Sequence, residues 1–150
     1  MNSYGLIDLH CDTLAEYWKY AHTGNPDTLD DPGRVLSLSN MPKDVHWAQF
    51  YAVFIPDEER GQAAIDHFEK NRANFDRQME KFGDRVAPCR NADDMEKAWA
   101  AGKTAAFLTI ENGSALAGDL SRVHTLAEQG VRAITLTWNG ENELGSGHTT

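Results

Sequence analysis

The chain has 150 residues, of which 41% are hydrophobic and 25% charged, the balance of a globular domain with a sizeable core. A net charge of −9 at pH 7 and a pI near 5.0 argue against a nucleic-acid or anionic-membrane partner, since both reward a basic face. No run approaches the roughly 20 apolar residues of a membrane span, and the N-terminus lacks the basic and apolar regions of a signal peptide. Two cysteines, Cys11 and Cys89, make no disulfide framework, so a reducing cytoplasm is the expected compartment.

In chain order, "YGLIDLHCD" predicts a short buried strand. "TLAEYWKYAH" predicts a helix, with Leu14, Trp18 and Ala21 spaced by four and three. Gly24, Pro26, Pro32, Gly33 and Pro42 punctuate residues 23–45 as loop. "WAQFYAVFI" is a second buried strand, closed by Pro56. A long helix follows over about residues 58–82, with Ile65, Phe68, Phe75, Met79 and Phe82 as its apolar stripe. "RVAPCR" suits a short strand. Asn91 then reads as an N-cap, with Asp93 and Asp94 in the first turn and Gly102 after the last. "TAAFLTIE" is a further strand, residues 116–129 a helix stopped by Gly130, and "VRAITLTW" the last strand before a loop-like tail.

Strands alternating with helices predict parallel βα units, four or five of them. A closed (β/α)8 barrel takes about 250 residues. The expected fold is therefore α/β: half of such a barrel, or a small open sheet. A tail that leaves the last strand without a covering helix would expose an apolar sheet edge, which leads us to expect a piece of a longer protein.

The chemistry-bearing residues gather at predicted strand ends. In "IDLHCDTL", strict alternation points Asp8, His10 and Asp12 to one side and Ile7, Leu9 and Cys11 to the other. Burying unpaired carboxylates costs several kcal/mol each, on the order of what an ion loses on leaving water, and a cation removes that cost. His and Asp two apart reach one ion together, and zinc accepts N and O ligands. The motif equally allows His10 to bond a backbone carbonyl while Asp12 caps the next helix. In "FLTIENG", Phe107, Thr109 and Glu111 share a face, and Glu111 ends its strand, with Gly113 expected to allow a tight turn. Sites in parallel α/β folds form at the carboxyl ends of strands, which puts Glu111 on the rim of His10 and Asp12. Its two oxygens suit it to bridge two metals; a solvated or capping rim carboxylate is the alternative. In "LTWNGEN", Trp138 lines a substrate pocket or packs on the rim, and Asn142 makes a turn. His22, His46, His67, His124 and His148 have no ligand spacing. Cys11 and Cys89 read as small buried filler, with a thiolate ligand at Cys11 the alternative.

Taken in order, "DLHCDTL", "WAQFYAVFIP", "AAFLTIENG" and "LAEQGVRAITLTWNGEN" resemble the renal (membrane) dipeptidase family of zinc peptidases over nearly the whole chain. The resemblance implies a (β/α)8 TIM barrel of the metallo-dependent hydrolase type, with residues 1–150 as a single domain: its N-terminal half, incomplete after the fourth or fifth strand. It implies two zinc ions and hydrolysis of dipeptides by a hydroxide between them. Residue by residue, His10 and Asp12 match ligands of the first zinc. Glu111 matches the bridging, catalytic carboxylate. Asp8 begins the motif and supports the site from behind the ligands. Trp138 stands where well-known members carry a substrate-binding histidine in "LTH", which implies a different substrate preference. The family's histidines for the second zinc and its acid/base aspartate lie later, and nothing here matches them. The isolated chain is therefore expected to bind metal weakly and to be inactive. A homodimer is the implied assembly.

Two other readings compete. D-x-H also occurs in metallophosphoesterases, but "AGDLSRV" lacks the second aspartate of G-D-x-x-D, and G-N-H is absent. A non-catalytic metal-binding half-barrel that pairs with a partner is the other.

Overall fold

The structure, a computed structural model, describes residues 4–14 and 28–150. Among the described residues five strands form one all-parallel sheet: β1 (Gly5–Cys11), β2 (His46–Phe54), β3 (Val86–Pro88), β4 (Thr104–Glu111) and β5 (Val131–Thr135). The α-helices among the described residues are α1 (Gln62–Lys81), α2 (Ala92–Ala100) and α3 (Arg122–Glu128), which join β2 to β3, β3 to β4 and β4 to β5. The helix expected from residue 13 onwards falls outside the described residues beyond Leu14. No helix among the described residues is long and apolar enough to cross a membrane.

Strand order departs from chain order. β2 pairs with β4 along its whole length, Ala48 opposite Ala105 through Phe54 opposite Glu111. The other side of β4 is shared, with β3 against Thr104–Ala106 and β5 against Leu108–Glu111. Pro88 explains why β3 is so short: proline brings no N–H to the ladder, and Cys89 N–H closes it on Ala106 O at 2.7 Å. The unit β3–α2 is thus an insertion at the base of the sheet.

Each face of the sheet has its own cover. On one face Tyr51, Val53, Ile55, Ala106, Leu108 and Ile110 pack with Phe68, Phe75 and Met79 of α1 and Leu126 of α3. The apolar stripe predicted for α1 holds at Phe68, Phe75, Met79 and Phe82, but Ile65 is only partly covered and the buried face also takes Asn71, Asn74 and Gln78. Gln78 is there for a reason: its Oε1 accepts the Leu29 N–H at 2.7 Å, satisfying a buried backbone donor. On the opposite face α2 sits over the first residues of the strands, where Ala98, Met95 and Trp99 meet Ala48, Ala105, Phe50 and Phe107. The Trp99 indole N–H donates to Trp47 O at 2.9 Å, and its ring fills the space beside Gly5, where a Cβ would come within 3.1 Å. Asn91 caps α2 by accepting the Asp94 N–H at 2.8 Å.

The expected helix over 116–129 is two pieces. A 3-10 turn, Gly113–Leu116, ends at left-handed Ala117 and Gly118, with φ of 51° and 76°, and α3 begins only at Arg122. The connection before β2 is anchored by Asp30, whose carboxylate takes two 2.8 Å hydrogen bonds from Arg85 and one from Ser39. Those Arg85 bonds hold the Asp30 carboxyl below its ordinary value. A depressed carboxyl stabilises the fold above its unfolded pKa and loses that contribution as pH falls through the folded one. Asp30→Asn is therefore expected to cost about 1 kcal/mol at pH 7, the upper end for a half-exposed pair. In urea unfolding at pH 7 and about pH 2–3, the gap between variant and parent closes at the lower pH.

Candidate metal centre

All five strands run the same way, so β1, β2, β4 and β5 bring their carboxyl ends to one rim. Three of the predicted residues meet there. His10 Nε2 lies 3.4 Å from Asp12 Oδ1 and 3.5 Å from Glu111 Oε2, and one ligand atom from each of the three lies within 4.8 Å of the others. His10 and Asp12 are about half exposed; Glu111 is 20% exposed. Burial pushes the Glu111 carboxyl above its ordinary value, His10 opposes this and Asp12 adds to it.

A β-bulge makes this meeting possible, and it changes the expected alternation. In β1, Asp8 pairs with Gln49 but Cys11 pairs with Tyr51, so three residues of β1 span two of β2. The extra residue breaks the period of two between Asp8 and His10. Cys11 lies with Tyr51 against the helix-covered core, where burial pushes its thiol up to about 12. That is the environment of a filler thiol, and Cys11 is not in the ligand group. Asp8 is not in the group either; its Oδ1 accepts the His10 N–H at 3.1 Å and so braces the bulge.

The turn after Glu111 has a different cause from the one expected. The left-handed residue is Asn112, φ 79°, while Gly113 is required for space: a Cβ there would lie 2.5 Å from Leu144 Cδ1 and 2.9 Å from Leu136 O. Trp138 follows β5 and stands 41% exposed, edge-on to Phe54 at 4.8 Å. Phe54 faces the same side as Glu111, its register partner, and was not picked out by sequence reasoning. The available signal was that it ends its strand as Glu111 ends the next. Below this layer Ala52 and Thr109 are small, and beneath them Phe50 and Phe107 stack at 4.6 Å. The rim therefore carries an acidic cluster beside the Phe54–Trp138 pair, above a stacked aromatic layer. Asn142 makes the expected turn, its Oδ1 accepting the Leu144 and Gly145 N–H groups, and it is also buried and bonded to Asn112.

One imidazole nitrogen and two carboxylates within reach of one point are a donor set suited to a divalent cation such as zinc.

The structure matches several solved proteins. A dipeptidase AC, a metallopeptidase of family M19, superimposes with a TM-score of 0.79 at 19% identity, over 94% of this chain and 45% of that one. A metallopeptidase from Rhodobacter sphaeroides, liganded with a phosphinate mimic of the dipeptide L-Ala-D-Ala, gives 0.79 at 17% identity, over 94% and 47%. A probable dipeptidase, PvdM, from Pseudomonas aeruginosa gives 0.65 at 20%, over 91% and 35%. This chain thus spans about half the length, or less, of these relatives. The sequence matches the membrane dipeptidase family, peptidase family M19, over residues 1–150. Ordered motifs, parallel sheet and whole-length match agree, and the chain belongs to the membrane dipeptidase family.

Proposed function

We propose that this chain forms the N-terminal half of a zinc-dependent dipeptidase barrel, with His10, Asp12 and Glu111 as its share of the metal ligands. The observation that carries the reading is the meeting of those three side chains on the rim, in a chain of this family. Glu111 has the second oxygen needed to serve a second ion, and two ions in the complete enzyme are part of the proposal. Bound metal would polarise the peptide carbonyl and lower the pKa of water toward neutral.

The chain's own residues do the rest. Glu111 is placed by the β2–β4 ladder, and Asp8 holds the bulge that turns His10 to it. Phe50 and Phe107 stack beneath the ligand layer, with α2 packed below them. Trp138 and Phe54 offer an apolar wall to a substrate side chain, where a histidine would offer a hydrogen-bonding group. A dipeptide with an apolar side chain, including one with a D-residue at its C-terminal side, is the proposed substrate.

The remaining ligands and the acid/base group are proposed to lie outside residues 1–150. Leu6, Ile7 and Leu9 of β1 and Leu136 beyond β5 are exposed, which is where further barrel strands would pair. A homodimer in the cytoplasm completes the proposal; among the described residues Cys11 and Cys89 are free.

The test compares the protein from its natural reading frame with residues 1–150 alone, each loaded with zinc and given L,L- and L,D-dipeptides. Turnover by the former and none by the latter is expected. Turnover by residues 1–150 alone would overturn the shared-site reading. Metal binding without turnover by either would favour a non-catalytic metal-binding half-barrel.

A further inference from the structure

Residues next to the ligand group, Asn112 and Asn142 among them, form a buried polar clip. Asn112 is fully buried, directly follows Glu111, and holds φ 79° and ψ 107°, a conformation that residues with a side chain rarely adopt. Something must over-determine it, and its amide does. Nδ2 donates to Ile55 O at 2.9 Å and to Asp57 Oδ1 at 3.1 Å. Oδ1 accepts from Ser114 N at 3.2 Å, from Ser114 Oγ at 2.9 Å and from Asn142 Nδ2 at 2.8 Å. One side chain thereby ties together the segments that follow β2, β4 and β5.

Each partner continues the clip. Asn142 Nδ2 also donates to Leu136 O at 2.7 Å, and its Oδ1 accepts the N–H groups of Leu144 and Gly145 at 2.8 and 3.2 Å. Asp57 Oδ2 accepts the Gly140 N–H at 2.8 Å, and a Cβ on Gly140 would stand 2.9 Å from that oxygen. Ile55 N–H donates to Glu111 O at 2.9 Å, so the peptide carrying Glu111 is held from the same strand end that Asn112 grips. Arg60 adds an exposed strap to Glu143 at 3.2 Å and to Glu141 O. A leucine or alanine at 112 or 142 could make none of these bonds, and the stranded backbone groups would be buried.

We infer that Asn112, with Asn142 and Asp57, is a positioning residue: it locks Glu111 and the Trp138 segment into one rigid rim, and so sets the metal-binding geometry without touching metal or substrate. This rests on the reading of His10, Asp12 and Glu111 as metal ligands. Groups that orient metal ligands are typically worth about 10–100-fold in metal affinity or activity.

The experiment uses Asn112→Gly in the protein from its natural reading frame. Glycine keeps φ 79° accessible while deleting the clip. Co2+ is the probe, read by the dissociation constant and the visible absorption of the bound ion, beside kcat, KM and Tm. Affinity about 10–100-fold weaker, an altered Co2+ spectrum, and a loss carried by kcat with KM within roughly threefold are expected. Asn142→Ala, which leaves the left-handed residue in place, is expected to shift the same readouts in the same direction by less, and it serves if the glycine variant does not fold. Unchanged affinity and spectrum in folded variants with a lowered Tm would overturn the inference, leaving Asn112 a purely structural residue. A parent protein that binds no Co2+ would instead overturn the metal-site reading on which it stands.

Discussion

In the protein from its natural reading frame, Glu111→Gln is expected to abolish the proposed dipeptide hydrolysis while leaving the metal-free fold intact. Glutamine keeps the volume and one carbonyl oxygen but removes the negative charge. As a proposed ligand, Glu111 should matter more than an outer partner of a ligand, so the expected loss exceeds the ~10–100-fold typical of the latter. Zinc affinity should fall with it, measured by competition with a chromophoric chelator. Stability without metal should move the other way or not at all. Burial already lifts the Glu111 carboxyl, which means the fold disfavours its charged form, and glutamine removes that cost. A variant that unfolds in the absence of metal would show that Glu111 holds the rim together rather than serving a ligand role.

Phe68→Ala carries the largest expected effect on stability. Phe68 is fully buried in α1, inside the cluster that joins that helix to β2, β4 and β5. Truncating a buried phenylalanine costs about 3–5 kcal/mol through lost transfer energy and the cavity left behind. Against a total of about 5–15 kcal/mol for a domain of ordinary stability, that loss makes unfolded protein readily populated. Urea unfolding should show a lowered midpoint with a little-changed slope. Val35→Ser is the control: Val35 is fully exposed, and its change should stay within about 0.5 kcal/mol.

Much of this was legible in the residues. The bounds of β4, Thr104–Glu111, coincide with "TAAFLTIE", because a run of small and branched apolar residues buried on both faces has no competing period. Asn91 was readable as a cap because N-capping is chemistry between neighbours in sequence. Glu111, His10 and Asp12 were readable as a set because parallel strands must bring their carboxyl ends to one rim.

Other features are settled at longer range. The β1 bulge depends on how Asp8 and Cys11 register against Gln49 and Tyr51 in a strand roughly forty residues on, and no local pattern contains that. β3 lies beyond β4 because Pro88 and α2 make it a short insertion, and pairing partners are a property of the whole sheet. The left-handed turn belongs to Asn112 because Ile55, Asp57 and Asn142 are there to hold its amide, whereas Gly113 yields its side chain to Leu144 and Leu136. Periodicity, caps and strand ends act within a few residues, so the sequence by itself determined most of the elements and the residue types of the candidate ligands. Register, strand order and the clip around Asn112 depend on which distant backbones meet, and only the tertiary structure decided those.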